Sequence, residues 1–326
     1  MSPATPYPGF SGVGAERLRT GPWRIVVVGA GGWLGLATLE MLHGLLGADF
    51  HRRVACFGSA ERTLILRGGV AVDQHPLEAL ARLPMAPSLV LHLAFLTQEK
   101  AKAMPEDAYV AANRAISSQV LGALDAVGAR GVFVPSSGAV YMADQPGAER
   151  SKQLYGSLKR EDEDRFAAWG EDRGASVVIA RVFNLSGPYI NKRSSYALAC
   201  FIADALADRP IVIRAARPVL RSYVAISELM SVVVGALTDQ PAEPILFDTA
   251  GDDVYEMAQI AQVVANVLHH DRGIDRPALK DGDIDRYVGD GSTYTRLRRL
   301  NGVTSIGFPE QVRETARYMT ECGDLN

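Results

Sequence analysis

The stretch Val28-Gly29-Ala30-Gly31-Gly32-Trp33-Leu34-Gly35 decides how this chain is read. It closes an apolar run that begins at Ile25 and opens a segment of helical period, with glycines at 29, 32 and 35 in a G-x-x-G-x-x-G spacing. A strand that turns sharply into a helix, brings backbone up to a pyrophosphate and seats the helix N-terminus on that anion needs residues without a Cβ at those points. A purely structural turn can carry the same glycines. The strand before and the helix after are the context that favours a dinucleotide-binding turn.

On either side of this turn, β-branched runs at 25–28, 54–57, 89–94, 131–134 and 177–180 alternate with segments of helical period near 33–46, 107–127 and 152–172. Parallel strands need crossover helices and read as continuous apolar runs, so the alternation predicts an α/β fold: a Rossmann-type, doubly wound parallel sheet. After about residue 185 the pattern loosens, with strands at 211–213 and 245–247 among helices near 195–208, 227–238, 255–268 and 308–321. The expected organisation has three parts. Residues 1–22, rich in proline and glycine, form a flexible arm; 23–184 form the dinucleotide-binding domain with the catalytic residues. Residues 185–326 form mostly a smaller C-terminal substrate-binding lobe, with some segments returning to the sheet.

Of the 326 residues, 48% are hydrophobic and 22% charged, a globular balance that excludes disordered and collagen-like classes. A net charge of -3 gives no footprint for nucleic acid or an anionic membrane surface. Cys56, Cys200 and Cys322 are too widely spaced for a metal clamp or disulfide framework, and no run is apolar enough to span a bilayer. A soluble protein of the reducing cytoplasm is the expectation. His43, His51, His75 and His269-His270 show no metal-ligand spacing, so no metal is expected. The charge run 159–165 reads as a solvated helix face.

The second strand bears on which dinucleotide binds. An acid at its end would accept hydrogen bonds from the ribose 2'-hydroxyl of NAD, but this strand ends Phe57-Gly58-Ser59 and is followed by Arg62. A small residue, a hydroxyl and a guanidinium suit a 2'-phosphate better, which tilts the reading to NADP over NAD. Glu61 dilutes that reading, and Arg62 also reads as an ordinary surface arginine. Asp73 is a candidate for the adenine amino group, or simply an exposed turn aspartate.

Tyr155-Gly156-Ser157-Leu158-Lys159 falls on a predicted helix, so tyrosine and lysine share one face a turn apart. A nearby ammonium favours the phenolate, which lets Tyr155 exchange a proton with a substrate oxygen. Val134-Pro135-Ser136-Ser137-Gly138-Ala139-Val140-Tyr141 ends a strand at the carboxyl edge of the sheet, where ligands of such folds bind and a serine can hold the same oxygen.

The glycine triplet, His92-Leu93-Ala94, the Ser136-Ser137-x-x-Val140-Tyr141 segment and Tyr155-x-x-x-Lys159 together resemble the extended short-chain dehydrogenase/reductases, and more narrowly their nucleotide-sugar epimerase/dehydratase branch. The resemblance runs from about residue 24 to the end. It implies cofactor contacts from the turn Gly29, Gly32, Trp33, Leu34 and Gly35 and from Ala94, to which the second-strand reading adds Ser59 and Arg62. It also implies catalytic roles for Ser137, for Tyr155 as acid/base and for Lys159 on the nicotinamide ribose, with Asn113 supporting the catalytic helix. Arg181-Val182-Phe183-Asn184-Leu185-Ser186-Gly187-Pro188 resembles the family's R-x-x-N-x-x-G-P, which would turn Asn184 to the sugar nucleotide. Arg221, in Arg221-Ser222-Tyr223-Val224, resembles the arginine that grips the substrate diphosphate.

The departures matter equally. The dehydratase branch places Asp-Glu after its catalytic hydroxyl; here Gly138-Ala139 stand there, which disfavours sugar 4,6-dehydration by that route. Met142 replaces a usual glycine in a short 141–155 segment, and Ser222 follows Arg221 where aspartate is common. The expected activity is NAD(P)-dependent hydride transfer at a carbon of a nucleotide-diphosphate sugar, by a C4-epimerase or a 4-ketoreductase. The alternatives are a non-catalytic dinucleotide sensor, which would be expected to lose the tyrosine, lysine or serine, and an alcohol dehydrogenase of a non-sugar substrate. In relatives the faces of the 107–127 and 152–172 helices pair with their copies, so a homodimer is expected.

Overall fold

Seven strands, β1 (Arg24–Val28), β2 (Val54–Gly58), β3 (Arg62–Ile65), β4 (Ala71–Pro76), β5 (Ser88–His92), β6 (Ala129–Ser137) and β7 (Ser176–Val182), form one sheet with an eighth at Ile245–Asp248 in the computed structural model, which describes residues 8–280 and 282–322. The order across the sheet is Ile245–Asp248, β7, β6, β5, β1, β2, β4, β3, and all neighbours run parallel except β3, which returns antiparallel on β4. Val26, Val27 and Val28 are fully buried, as is every residue of β5, because helices cover both faces. One apolar cluster packs Val27, Leu89, Leu91 and Phe133 against the Trp33–Leu46 and Ile226–Asp239 helices; the other packs Val26, Val28 and Val90 against Val120 and Phe166 of the Glu106–Leu124 and Arg150–Arg173 helices. The chain order reverses at β1, which pairs with β2 on one side and β5 on the other, so a crevice opens at their carboxyl ends.

The expectation of a loose N-terminal arm is corrected for the described part of it. Helix α1 (Gly12–Thr20) buries Leu18 and lies against the Ile226–Asp239 helix. A Cβ on Gly14 would come within 2.5 Å of the Gly235 backbone, so two glycines let the helices touch. Arg53 fixes the far end by donating to the carbonyls of Leu18, Arg19 and Trp23. The composition of 1–22 suggested disorder because glycine and proline disfavour helix locally; the close tertiary contact overrides that preference. Pro3 and Pro6 lie outside the described residues.

After residue 185 the chain divides its contribution. The Ile226–Asp239 helix and the Ile245–Asp248 strand join the main layers. Short pairings build the rest: Val219–Arg221 lies between Tyr255–Glu256 and Asp285–Tyr287, and its parallel register sets Arg221 beside Tyr287. Among the described residues no helix is long and apolar enough to cross a membrane.

Candidate active site

The glycine turn is sterically obligatory at two of its three predicted positions. Gly29 has φ 87°, and a Cβ there would lie 2.6 Å from the Ala94 nitrogen, so this glycine seats β1 against the Leu93–Ala94 segment. A Cβ on Gly35 would lie 2.5 Å from the carbonyl oxygens of Gly29 and Ala30. Gly32 caps the helix α2 (Trp33–Leu46), donating its N–H to Gly29 at 3.0 Å. Leu34 packs into the core, and its carbonyl accepts from Thr38. The Trp33 indole donates to the Pro188 carbonyl at 2.8 Å and its ring sits 5.3 Å from that of Tyr196.

At the end of β2, a side chain on Gly58 would run into Gln74, whose amide carbon lies 2.5 Å from the Cβ position. Gln74 donates to the Ala60 carbonyl and keeps a buried Oε1 without a hydrogen-bond partner among the described residues. Ser59 is exposed in the turn that follows, and the Arg62 guanidinium stands against Gly31, where a Cβ would collide with it. A glycine cradle, a cation against its backbone and an orphaned buried acceptor next to both fit the phosphate and adenosine end of a nicotinamide dinucleotide. Asp73 lies within β4, where it accepts from Thr63 at 3.1 Å across the hairpin.

Ser137, Tyr155 and Lys159 line or underlie one cavity. Ser137 is the last residue of β6, and its Oγ accepts from the Ala139 N–H at 3.2 Å. Tyr155 and Lys159 rise from the Arg150–Arg173 helix, which the sheet approaches closely because Gly156 sits against the Ala139 carbonyl. The Lys159 Nζ donates to the Pro135 carbonyl at 2.8 Å and lies 3.7 Å above the Phe95 ring, which meets Tyr155 edge-on at 5.7 Å. Burial brings Lys159 down to about 8, against the pull of Asp162 and Glu163. Burial also pushes the Tyr155 phenol up, with Tyr287 and Tyr109 adding to it and Ser137 opposing it. The Lys159 ammonium is turned to Pro135 and Phe95, and desolvation dominates at the phenol.

Asn113 is buried, but its bonds go elsewhere than expected. It accepts from the Leu96 N–H at 2.8 Å and donates to the Tyr109 carbonyl, so it holds the loop after β5 rather than the catalytic helix.

A cavity of about 380 Å³ over Ser137 and Tyr155 continues into one of about 510 Å³, and the two share Val182, Phe183, Asn184, Tyr196, Arg221 and Asp285. Asn184 donates to the carbonyls of Ser222 and Tyr287, stitching two strand segments together at the junction. Arg221 uses Nη1 for Asp285 Oδ1 at 3.0 Å and for two carbonyls, and its guanidinium lies 5.8 Å from the centre of the Tyr287 ring. Among the residues of this cleft that carried no sequence signal are Tyr287, Asp285, Lys192 and Glu99. Lys192 bridges to Glu99 and Thr97 across the mouth.

Beneath the cleft, Arg181 holds buried Glu163 through both carboxylate oxygens and also donates to the Tyr141 hydroxyl, which reaches Asp248. Ser136 donates to the same glutamate. A Cβ on Gly138 would meet the Phe183 ring at 2.5 Å, so an acid of the dehydratase type has no room there.

A doubly wound sheet with a glycine turn at its switch point and a tyrosine–lysine pair at its carboxyl edge defines an extended short-chain dehydrogenase/reductase. The sequence model of the NAD dependent epimerase/dehydratase family matches residues 25–246, and the chain belongs to that family. Its fold is similar to that of UDP-N-acetylglucosamine 4-epimerase from Methanobrevibacter ruminantium, in complex with UDP-N-acetylmuramic acid: TM-score 0.70 at 19% identity, over 92% of this chain and 98% of that one. It is similar also to UDP-glucose 4-epimerase from Thermus thermophilus in complex with NAD, with TM-score 0.66 at 19% identity over 91% and 99% of the two chains. A third likeness is to UDP-glucose 4-epimerase from Thermotoga maritima with UDP-glucose, TM-score 0.69 at 15% identity over 91% and 99%.

Proposed function

We propose that this protein interconverts or reduces nucleotide-linked sugars by hydride transfer at a sugar carbon, with C4-epimerisation as the reading the site supports best. The observation that carries it is the meeting of Ser137 and Tyr155 in one cleft with Asn184 and Arg221, above a buried Lys159. When bound, the dinucleotide supplies a nicotinamide that accepts hydride from the sugar carbon and can return it. Tyr155 takes the proton of the sugar hydroxyl as that carbon is oxidised and gives it back when the carbonyl is reduced, while Ser137 holds the same oxygen. Burial keeps the phenol protonated, so the base form depends on positive charge near it, and Lys159 one turn along the helix is the charge this chain provides. Arg221 spends Nη1 on Asp285, which leaves Nε and Nη2 for the substrate's phosphates.

Within this reading the preferred dinucleotide is NADP, supported by the missing acid at Gly58 and by Arg62 standing against Gly31. The same observation favours a second activity, net reduction of a 4-keto sugar nucleotide. The reading extends to a homodimer through the Glu106–Leu124 helix, supported by an exposed stripe of small residues, Ala108, Ala111, Ala115, Ser118 and Gly122, that lets a second helix approach. Three free cysteines agree with a cytoplasmic setting.

The test is product analysis with UDP-hexoses, UDP-N-acetylhexosamines and 4-keto sugar nucleotides in the presence of NAD or NADP. Conversion of a hexose to its C4 epimer supports the first activity, and stoichiometric NADPH consumption by a keto sugar supports the second. Dinucleotide binding with every sugar nucleotide unchanged would refute the proposal.

A further inference from the structure

A second cavity, of about 360 Å³, lies between α2, the turn after β3, the start of the Ile226–Asp239 helix and the Phe308–Glu321 helix, and shares no lining residue with the catalytic cleft. Two of its polar side chains are more than nine-tenths buried. Glu314 is 6% exposed, and among the described residues no hydrogen bond reaches its carboxylate; Arg317 acts on it only through space. Ser227 is 8% exposed, and its Oγ has no hydrogen-bond partner among the described residues. A buried hydroxyl without a partner is costly, and a mostly buried carboxylate that no described hydrogen bond reaches is poorly satisfied, so the cavity has acceptors to offer a ligand.

The chemistry of that partner follows from the walls. Glu314 offers only acceptors when ionised, and Ser227 offers one more. Arg67, on the same wall, is already held by Glu40 at 2.8 Å and Glu321 at 2.8 Å. Met41, Leu66, Val70 and Ile226 supply an apolar lining. Pro8 and Gly9 close one side.

We propose that this cavity binds a small organic cation, a protonated primary amine on a short methylene chain, whose N–H groups are received by Glu314 and Ser227 and whose carbons pack on the apolar lining. Pro188 lines the cavity and also accepts the Trp33 indole at the edge of the cleft, which places the two sites back to back.

The test is calorimetric titration of the full chain with n-butylamine and putrescine, with n-butanol as the uncharged control. An amine is expected to bind where the alcohol does not. Glu314→Gln should weaken it about ten-fold or more, the loss of a charge-assisted hydrogen bond. Binding should persist with saturating dinucleotide and UDP, and Glu314→Gln should leave sugar-nucleotide turnover unchanged. Should Glu314→Gln fail to fold by circular dichroism, Ser227→Ala gives the same comparison with a smaller loss. No amine binding, equal binding to the variants, or displacement by UDP would overturn the proposal, the last by placing the amine beside Glu99 and Asp285 in the catalytic cleft.

Discussion

The hydroxyl of Tyr287 lies 3.3 Å from the Oγ of Ser137, although 150 residues separate them in the chain. The parallel pairing of Asp285–Tyr287 with Val219–Arg221 carries Tyr287 there, and Phe183 fixes its ring at 4.7 Å. Ser137 is thus held from two sides, by the Ala139 N–H and by this phenol, before any substrate oxygen reaches it.

Tyr287→Phe should keep the fold, because the ring contacts with Phe183 and Arg221 remain, and should lower kcat/KM by roughly ten-fold as one hydrogen bond at Ser137 is lost. Steady-state kinetics with an unchanged melting temperature checks it. A loss as large as that of the Tyr155 variant would mean that Tyr287 itself carries the proton.

Tyr155→Phe removes the proposed acid/base and should cost roughly a hundred- to ten-thousand-fold in turnover. Dinucleotide affinity should stay within a few-fold, since the glycine turn and Arg62 are untouched. Turnover together with a fluorescence titration of the cofactor separates the two effects.

Arg62→Ala should weaken NADP by about ten-fold while leaving NAD nearly unchanged, because only the 2'-phosphate gains from a guanidinium beside Gly31. Equal losses for both dinucleotides would place Arg62 on the shared pyrophosphate instead.

Burial pushes the Glu314 carboxyl up to about 7 from an ordinary value of 4.5. The folded state therefore holds a proton that the unfolded chain releases between those values, so the cost of Glu314 is absent below about pH 4.5, grows through the window and is complete above about pH 7. Glu314→Gln should raise the melting temperature more at pH 8 than at pH 5. A gain independent of pH would contradict a buried, unpartnered carboxylate.

Much of this site is legible in the sequence because its signals are local. The glycine turn, the Tyr155–Lys159 pair and Ser137 each depend on spacing within a few residues of one element, and the helix and strand periods that carry them are strong. Tyr287, Asp285, Lys192 and Glu99 left no such trace, since each enters the cleft from a short strand, a loop or the brief Gln98–Ala103 helix, whose positions are fixed by distant contacts. Asn113 is named by its motif, whereas the direction of its hydrogen bonds is set by the loop at Leu96. Helix α1 was missed because its stability resides in the contact of Gly14 with Gly235 and the burial of Leu18, not in its own composition.

The central claim, reversible hydride transfer at a sugar carbon served by Tyr155, is tested most directly with a UDP-hexose deuterated at C4. The account predicts a mixture of C4 epimers in which the deuterium stays on C4 and the dinucleotide shows no net change. Epimers that lose the label to water would contradict it, because the carbon would then have exchanged a proton rather than a hydride.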